Sequence, residues 1–278
     1  MATIRAFRGL RPRAGLEARV AAPPYDVLDS NEARQLAEGN AQSFLHINKP
    51  EIDLDPSIDL HDDRVYATGA ANLKRFIAEG TLVQDGAPAL YIYQQRMGDH
   101  EQRGLMACVS AAEYEADLIK KHELTRADKE NDRTRHTFEL RANAGPVFLT
   151  YRARASIDAL VARETSRTPD VDFVAADGIG HTLWVIRDTA TQESLRREFA
   201  DIPTLYVADG HHRSASAARV ARMRREANPE HHGDEEYNFF MAVIFPDDQL
   251  RIMDYNRVVT DLGGLDEAGF LARVAEKF

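Results

Sequence analysis

Apolar segments of strand length alternate with segments of helical periodicity along most of the chain. Strand-like segments span residues 89–94, 105–111, 146–151, 171–175, 181–187, 203–208, 237–245 and 256–260. Helical segments span residues 31–38, 62–79, 133–142, 156–164, 191–199 and 211–226. We find no internal repeat. The alternation predicts an α/β fold, or a mixed α+β fold, with mixed sheets flanked by helices.

Charge and apolar patterning exclude several classes of protein. The formal net charge is −10 over 278 residues, which disfavours nucleic acid and anionic membranes as partners. No apolar run approaches the 18 residues of a membrane span, and the basic N-terminus has no apolar segment typical of a signal peptide. With Cys108 as the single cysteine, no internal disulfide can form, so we expect a cytoplasmic protein.

Residues 113–132 resist assignment because 11 of these 20 residues are charged. We place a domain boundary here, with an N-terminal lobe over residues 1–112 and a second lobe over residues 113–278. Apolar residues recur at helical spacing from Leu265 to Phe278, where the sequence stops without a polar tail. We therefore expect the natural protein to continue beyond Phe278.

The segment from Leu205 to Arg219 predicts an apolar strand, a tight turn and a helix rich in small residues. Such a turn leaves the first N–H groups of the helix without intrahelical partners, at the positive end of the helix dipole, where an anion is favoured. The residues predicted to bind phosphate here are Asp209, Gly210, His211, His212, Arg213 and Ser214.

Two other interpretations of this turn stay open. Asp209 could simply cap the helix, with both histidines exposed. A metal site is the other, but His211 and His212 are adjacent and would point about 100° apart on a regular helix, so one ion could not bind both. The sequence does not identify any metal ligand.

The charged stretch supplies candidates for catalysis and for phosphate binding. Phosphoryl transfer needs a carboxylate for the acceptor's proton and cations for the developing charge. The candidate catalytic residues are Lys121, His122, Glu123 and Arg213, and the further phosphate-binding candidates are Lys129, Arg133, Arg141 and Asn143. A solvated surface is the alternative interpretation of such a run of charges.

Three further residues are candidates for binding the substrate. Tyr25 and Asp26 follow two prolines, which impose a rigid extended entry, and they could either enter a site or plug the structure. His181 begins a predicted strand among apolar neighbours, and a hydrogen-bonded core histidine is the alternative there.

Four separated motifs resemble one known family. They are Pro23-Pro-Tyr-Asp-Val27; Lys121-His-Glu-x-Thr125 with Lys129, Asp132 and Arg133; Arg141-Ala-Asn143 with Pro146; and Ala208-Asp-Gly-His-His-Arg213. Together they resemble the bacterial and archaeal family called domain of unknown function ten-fifteen, over nearly the whole chain. That family name implies no function.

The turn from Asp209 to Arg213 also resembles the phosphate-binding turn of the ParB and sulfiredoxin superfamily, which includes archaeal ADP-dependent free-serine kinases. This resemblance implies a ParB/sulfiredoxin-like core around the turn, with donor phosphates held by residues 210–214. It also implies a glutamate base, for which Glu123 is the candidate in a motif. The resemblance to family ten-fifteen implies an association with serine biosynthesis, which favours the same substrate class.

These observations favour an enzyme that transfers a phosphoryl group to a small hydroxyl metabolite, with free serine as a candidate. The expected donor is ATP, ADP or pyrophosphate with Mg²⁺. No Walker-type or dinucleotide-binding glycine motif is present. The alternatives are a non-catalytic sensor of nucleotides or phosphometabolites and a ParB-like nucleic-acid-associated protein.

Overall fold

A computed structural model describes residues 2–254, 256 and 258–277. Its strands are β1 (Ile4–Arg5), β2 (Leu10–Pro12), β3 (Leu82–Gln84), β4 (Leu90–Met97), β5 (His100–Ser110), β6 (Ile119–Lys120), β7 (Val147–Tyr151), β8 (Val171–Val174), β9 (Gly180–Ile186), β10 (Leu205–Asp209) and β11 (Phe239–Pro246).

The helices are α1 (Glu17–Val20), α2 (Ser30–Ala37), α3 (Leu45–Asn48), α4 (Asp63–Ala78), α5 (Ala111–Glu115), α6 (Ala127–Leu140), α7 (Ala155–Thr165), α8 (Thr189–Ala200), α9 (His211–Glu226) and α10 (Glu267–Ala275). Short 3₁₀ turns occur at Tyr25–Val27, Pro50–Asp53, Glu236–Asn238 and Asp247–Gln249. No helix in the described ranges is both long and apolar enough to cross a membrane.

A nine-stranded mixed sheet forms the centre of the molecule. Its order is β6-β10-β7-β11-β5-β4-β9-β8, and β1 pairs with the C-terminal end of β5. The pairs β6–β10 and β7–β11 are parallel, and the other pairs are antiparallel. The predicted α/β class with a mixed sheet and flanking helices is confirmed.

One face of this sheet forms the main core together with α5, α7, α8 and α9. Alternate strand residues such as Ile92, Leu105 and Ile244 point to this face and are fully buried. Ala217, Ala218 and Ala221 of α9 pack on the same core. Because these side chains are small, α9 lies close to the sheet, which fixes the position of its N-terminus.

The N-terminal helices form a second, smaller core that includes α6. Val20, Ile47, Phe76 and Leu140 are buried together there. Helix α6 also packs along α9, so it lies between the N-terminal helices and the main core.

The sheet crosses the boundary that the sequence placed after residue 112. Strand β5, which precedes this boundary, pairs with β11 from Phe239 to Ile244, and β4 pairs with β9. Residues 1–112 and 113–278 therefore share one sheet and do not form two separate ones.

Two local predictions need correction. Residues 113–132, which the sequence left unassigned, contain the end of α5 at Glu115, β6 at Ile119–Lys120 and the start of α6 at Ala127, six residues before the helix predicted there. The strand predicted at residues 256–260 is not formed by those of its residues that the structure describes. The helical spacing seen near the end of the sequence corresponds to α10.

Candidate functional site

The candidate site begins where β10 ends and α9 starts. The pairing of β10 with β7 shifts register between Val207 and Asp209, a bulge that bends the strand just before the turn. Gly210 then adopts φ +90°, a backbone conformation that residues other than glycine rarely adopt. No described side chain caps α9, and Ser214 N–H makes the first bond, to the Gly210 carbonyl. The N–H groups of residues 211–213 thus lack intrahelical partners.

The Arg213 side chain folds back across this turn. A Cβ at Gly210 would lie 3.1 Å from Arg213 Nε and 3.2 Å from its Cζ, so the glycine permits the close approach. The guanidinium donates to the Pro146 carbonyl through Nη1 and to the Asp209 carboxylate through Nη2, while its buried Nε has no partner in the described chain. Arg213 therefore joins the turn to the loop before β7, and N–H groups remain for a ligand.

His211, the first residue of α9, contacts the loop of residues 121–126, which belongs to the charged stretch of the sequence. Its side chain is 5% exposed, and its Nδ1 lies 3.5 Å from Oε2 of Glu123. The His122 ring lies edge to face against it at 4.4 Å. Burial lowers the pKa of His211, and the neighbouring His122 adds to this effect. Lys121 lies over the Tyr114 ring, at 4.4 Å.

Residues 125 and 126, which follow in the same loop, are held by hydrogen bonds to α6 and α9. The Arg126 backbone N–H donates to His212 Nε2 at 3.2 Å, and the Thr125 hydroxyl donates to Glu130 at 2.6 Å. Ser214, predicted to bind phosphate, is fully buried and donates to the carbonyls of Gly210 and His211. Its hydroxyl therefore stabilises the first turn of α9, and its predicted phosphate-binding role stays a prediction.

Tyr25 also lies near the turn. Its ring stacks under the Arg133 guanidinium at 4.2 Å, and burial raises the pKa of its hydroxyl. Arg213 is close enough to oppose that rise by its positive charge. Asp26, beside it, is exposed and forms no hydrogen bond with the described part of the chain.

Arg133 is neutralised by a carboxylate that the sequence did not single out for the site. Asp132 pairs with Arg133 at 2.7 Å and accepts from the Tyr66 hydroxyl of α4 at 2.8 Å. The DR dipeptide of the motif was visible in the sequence, but its partner Tyr66 lies 66 positions away, and no local pattern indicates such a contact.

The structure leaves three cationic or amide candidates in solvent. Lys129, Arg141 and Asn143 are exposed, and neither cation pairs with a carboxylate among the described residues. Arg141 ends α6 with φ +53°, an unusual conformation for a residue with a side chain. This end of α6 leads directly to Pro146, which Arg213 contacts.

His181 does not belong to this cluster. It lies on β9, and four strands separate β9 from β10 in the sheet, so the distance is about 24 Å at the usual strand spacing. Its Nδ1 is bonded to the Tyr93 hydroxyl at 2.6 Å, and Phe173 stacks on its ring. His181 is thus hydrogen-bonded to a neighbouring strand, apart from the turn, and its role in binding substrate stays a prediction.

A potential group of metal ligands and two cavities lie elsewhere. Among the residues described, His232, Asp234 and Glu235 could together hold a metal ion, but Glu235 already accepts the N–H groups of His232 and Gly233 and closes a turn. Cavities of about 450 and 430 Å³ lie beside α7–α8 and beside α2, and neither is lined by a predicted site residue.

Comparison with known proteins places the chain in a family without giving it an activity. No curated protein and no solved structure matches it. One family model, described as protein of unknown function (DUF1015), matches residues 4–278, which is nearly the whole chain. The chain is thus a member of the DUF1015 family.

Proposed function

We propose that the protein transfers a phosphoryl group from a nucleotide or pyrophosphate to the hydroxyl of a small metabolite, with free serine as the leading acceptor. The observation that supports this most is the uncapped N-terminus of α9 beside an exposed carboxylate. Glu123 contacts His211, the first residue of that helix, and its own side chain is 63% exposed. A phosphate-binding element and a proton acceptor are therefore adjacent.

The donor would bind at the turn. The N–H groups of residues 211–213 and the dipole of the 16-residue α9 favour an anion. Arg213 is held in place by Asp209 and Pro146, so its remaining N–H groups are preorganised for a phosphate oxygen. Mg²⁺ would enter with the donor and shield its charge, and we assign it no protein ligand.

Glu123 would accept the proton of the substrate hydroxyl. The hydroxyl oxygen then forms a bond to the terminal phosphorus, and the bond from that phosphorus to the bridging oxygen breaks. The leaving phosphate retains the electron pair, beside the positive end of α9. Glu123 lies on an exposed segment, so an incoming metabolite can reach it. The transfer is direct and needs no covalent enzyme intermediate.

The resemblance of the turn to the ParB and sulfiredoxin superfamily supports a phosphate ligand and is the reason for choosing serine. A nucleic-acid ligand is less consistent with the charges of α9. Arg219, Arg222 and Arg225 project from this helix, and each forms an ion pair with a glutamate of the chain.

A phosphometabolite sensor is the second candidate. Arg213 bonds the Pro146 carbonyl, so a ligand that attracts this guanidinium would also act on the loop before β7. Such a coupling would suit signalling without chemistry. The kinase needs Glu123 for turnover, whereas the sensor performs no turnover and tolerates the loss of Glu123.

The test compares Arg213→Ala and Glu123→Gln with wild type, by calorimetry of donor binding and mass spectrometry of phosphoserine. Loss of a charge-assisted contact should weaken donor binding of Arg213→Ala by about 10- to 150-fold. Loss of a general base should reduce transfer by Glu123→Gln by about 10²- to 10⁴-fold with donor affinity near wild type. Arg222→Ala, on the exposed side of α9, is the matched control and should change neither.

Two results would contradict the proposal. Unchanged turnover in Glu123→Gln removes Glu123 from the mechanism. Donor binding without a phosphorylated product from any acceptor tested, in wild type, favours the sensor.

A further inference from the structure

We propose that His211 is a positioning residue that holds the Glu123 carboxylate through a proton on Nδ1, with the imidazole ring neutral. The role of Glu123 as a base rests on the proposed function. The state of His211 itself does not, because it follows from the contacts of the ring.

The contact with Glu123 determines which nitrogen of the His211 ring bears the proton. Nδ1 of His211 lies 3.5 Å from Oε2 of Glu123. A carboxylate only accepts hydrogen bonds, so the contact is favourable when Nδ1 is the donor. At 3.5 Å the contact is longer than the usual range for a hydrogen bond, so it is a weak charge–dipole attraction between the N–H group and the carboxylate.

The surroundings of Nε2 determine the charge of the His211 ring. His211 is 5% exposed, and its Nε2 is buried without a partner in the described chain. A proton there would bury an unpaired charged donor, which is strongly unfavourable. The groups facing the ring are His122 and Glu123 of the loop before α6, Asp209 of β10 and His212 of α9. The lowered pKa of His211 agrees with a neutral ring.

A neutral His211 ring with its proton on Nδ1 restricts the position of Glu123. Residues 121–126 have no helix or strand structure, and Glu123 lies among exposed residues. The His211 backbone, by contrast, is fixed at the start of α9, and its ring is packed against His122. A donor on the rigid helix therefore restricts a carboxylate on a loop and aligns it with the phosphate that the same turn would bind.

Nuclear magnetic resonance of the histidine side chains tests the tautomer without any reference to activity. Long-range ¹⁵N–¹H spectra of the full chain at pH 7 and pH 8, with His211 assigned from the spectrum of His211→Gln, should show Nδ1 protonated and Nε2 bare. A charged ring at pH 7, or a proton on Nε2, would overturn the proposal.

Two isosteric variants test the positioning role. The amide nitrogen of His211→Asn lies near the position of Nδ1, whereas that of His211→Gln lies near Nε2. His211→Asn should keep kcat within about threefold of wild type, while His211→Gln and His211→Ala should lose at least about tenfold in kcat with the donor KM unchanged. Thermal unfolding of each variant identifies any loss that comes from misfolding.

The outcomes are distinguishable from failure of the proposed function. Equal kcat in His211→Ala and wild type, or rescue by Gln and not by Asn, would contradict the positioning role. If wild type shows no transfer at all, the proposed function fails, and the tautomer measurement still decides the state of His211.

Discussion

Gly210 is the residue at which backbone conformation and close packing coincide. Its φ of +90° disfavours any side chain, and a Cβ would also press on the Arg213 guanidinium at 3.1 Å. Gly210→Ala should therefore destabilise the fold by about 1–3 kcal/mol and weaken phosphate binding. Thermal unfolding and calorimetry with pyrophosphate measure the two effects.

Gly178 provides the matched control for this substitution. Its φ is +82°, but nothing lies within 4 Å of a Cβ there. Gly178→Ala should lower stability by about 1–2 kcal/mol and leave pyrophosphate affinity unchanged. Equal effects of both variants on affinity would show that the contact between Gly210 and Arg213 is irrelevant to the ligand.

At the scale of elements, Asp132 joins α6 to α4. Burial alone would raise the pKa of Asp132, but the Arg133 guanidinium and the Tyr66 hydroxyl outweigh it and hold the pKa below its ordinary value. A depressed folded-state pKa gives stability that is present above the unfolded value of about 4 and is lost as pH falls through the folded value. Asp132→Asn should thus be clearly less stable than wild type at pH 7, by about 1.5–3 kcal/mol, and this difference should shrink at pH 3.

Chemical denaturation at both pH values measures the difference. Glu139→Gln, also on α6 but exposed, is the control and should stay within about 0.5 kcal/mol of wild type. A penalty for Asp132→Asn that is the same at pH 3 and pH 7 would mean that packing, not charge, joins the two helices.

Elements with a strong local signal could be predicted from the sequence, and contacts between elements could not. Helix α9 spans the predicted residues because an apolar strand, a glycine and an alanine-rich segment follow one another. The start of α6 was predicted six residues too late, because the residues of its first turns are mostly charged. Packing of α6 on α9 and α4 stabilises the helix, and the sequence does not show these contacts. The distance of His181 from the turn could not be predicted, because a local pattern does not give the order of strands in the sheet.

At the scale of the whole molecule, the shared sheet predicts one cooperative unit. Trp184, the only tryptophan, lies on β9 opposite Ile92 of β4, so its environment depends on strands from both sides of residue 112. Tryptophan fluorescence and far-ultraviolet circular dichroism should therefore give coincident unfolding transitions. Fragments 1–112 and 113–278, made separately, should show no cooperative transition. A sharp transition in the 1–112 fragment would restore the two-lobe description.

The first turn of α9 is the proposed phosphate-binding site, and amide chemical shifts test this assignment most directly. The N-terminus of α8 is an internal control, because the Asp188 carboxylate already accepts from Thr191 N–H at 2.8 Å. On titration with magnesium pyrophosphate, the amide resonances of residues 211–213 should shift most, and those of residues 189–191 should stay in place. No shift at residues 211–213 at saturating pyrophosphate, or equal shifts at both helices, would contradict the account.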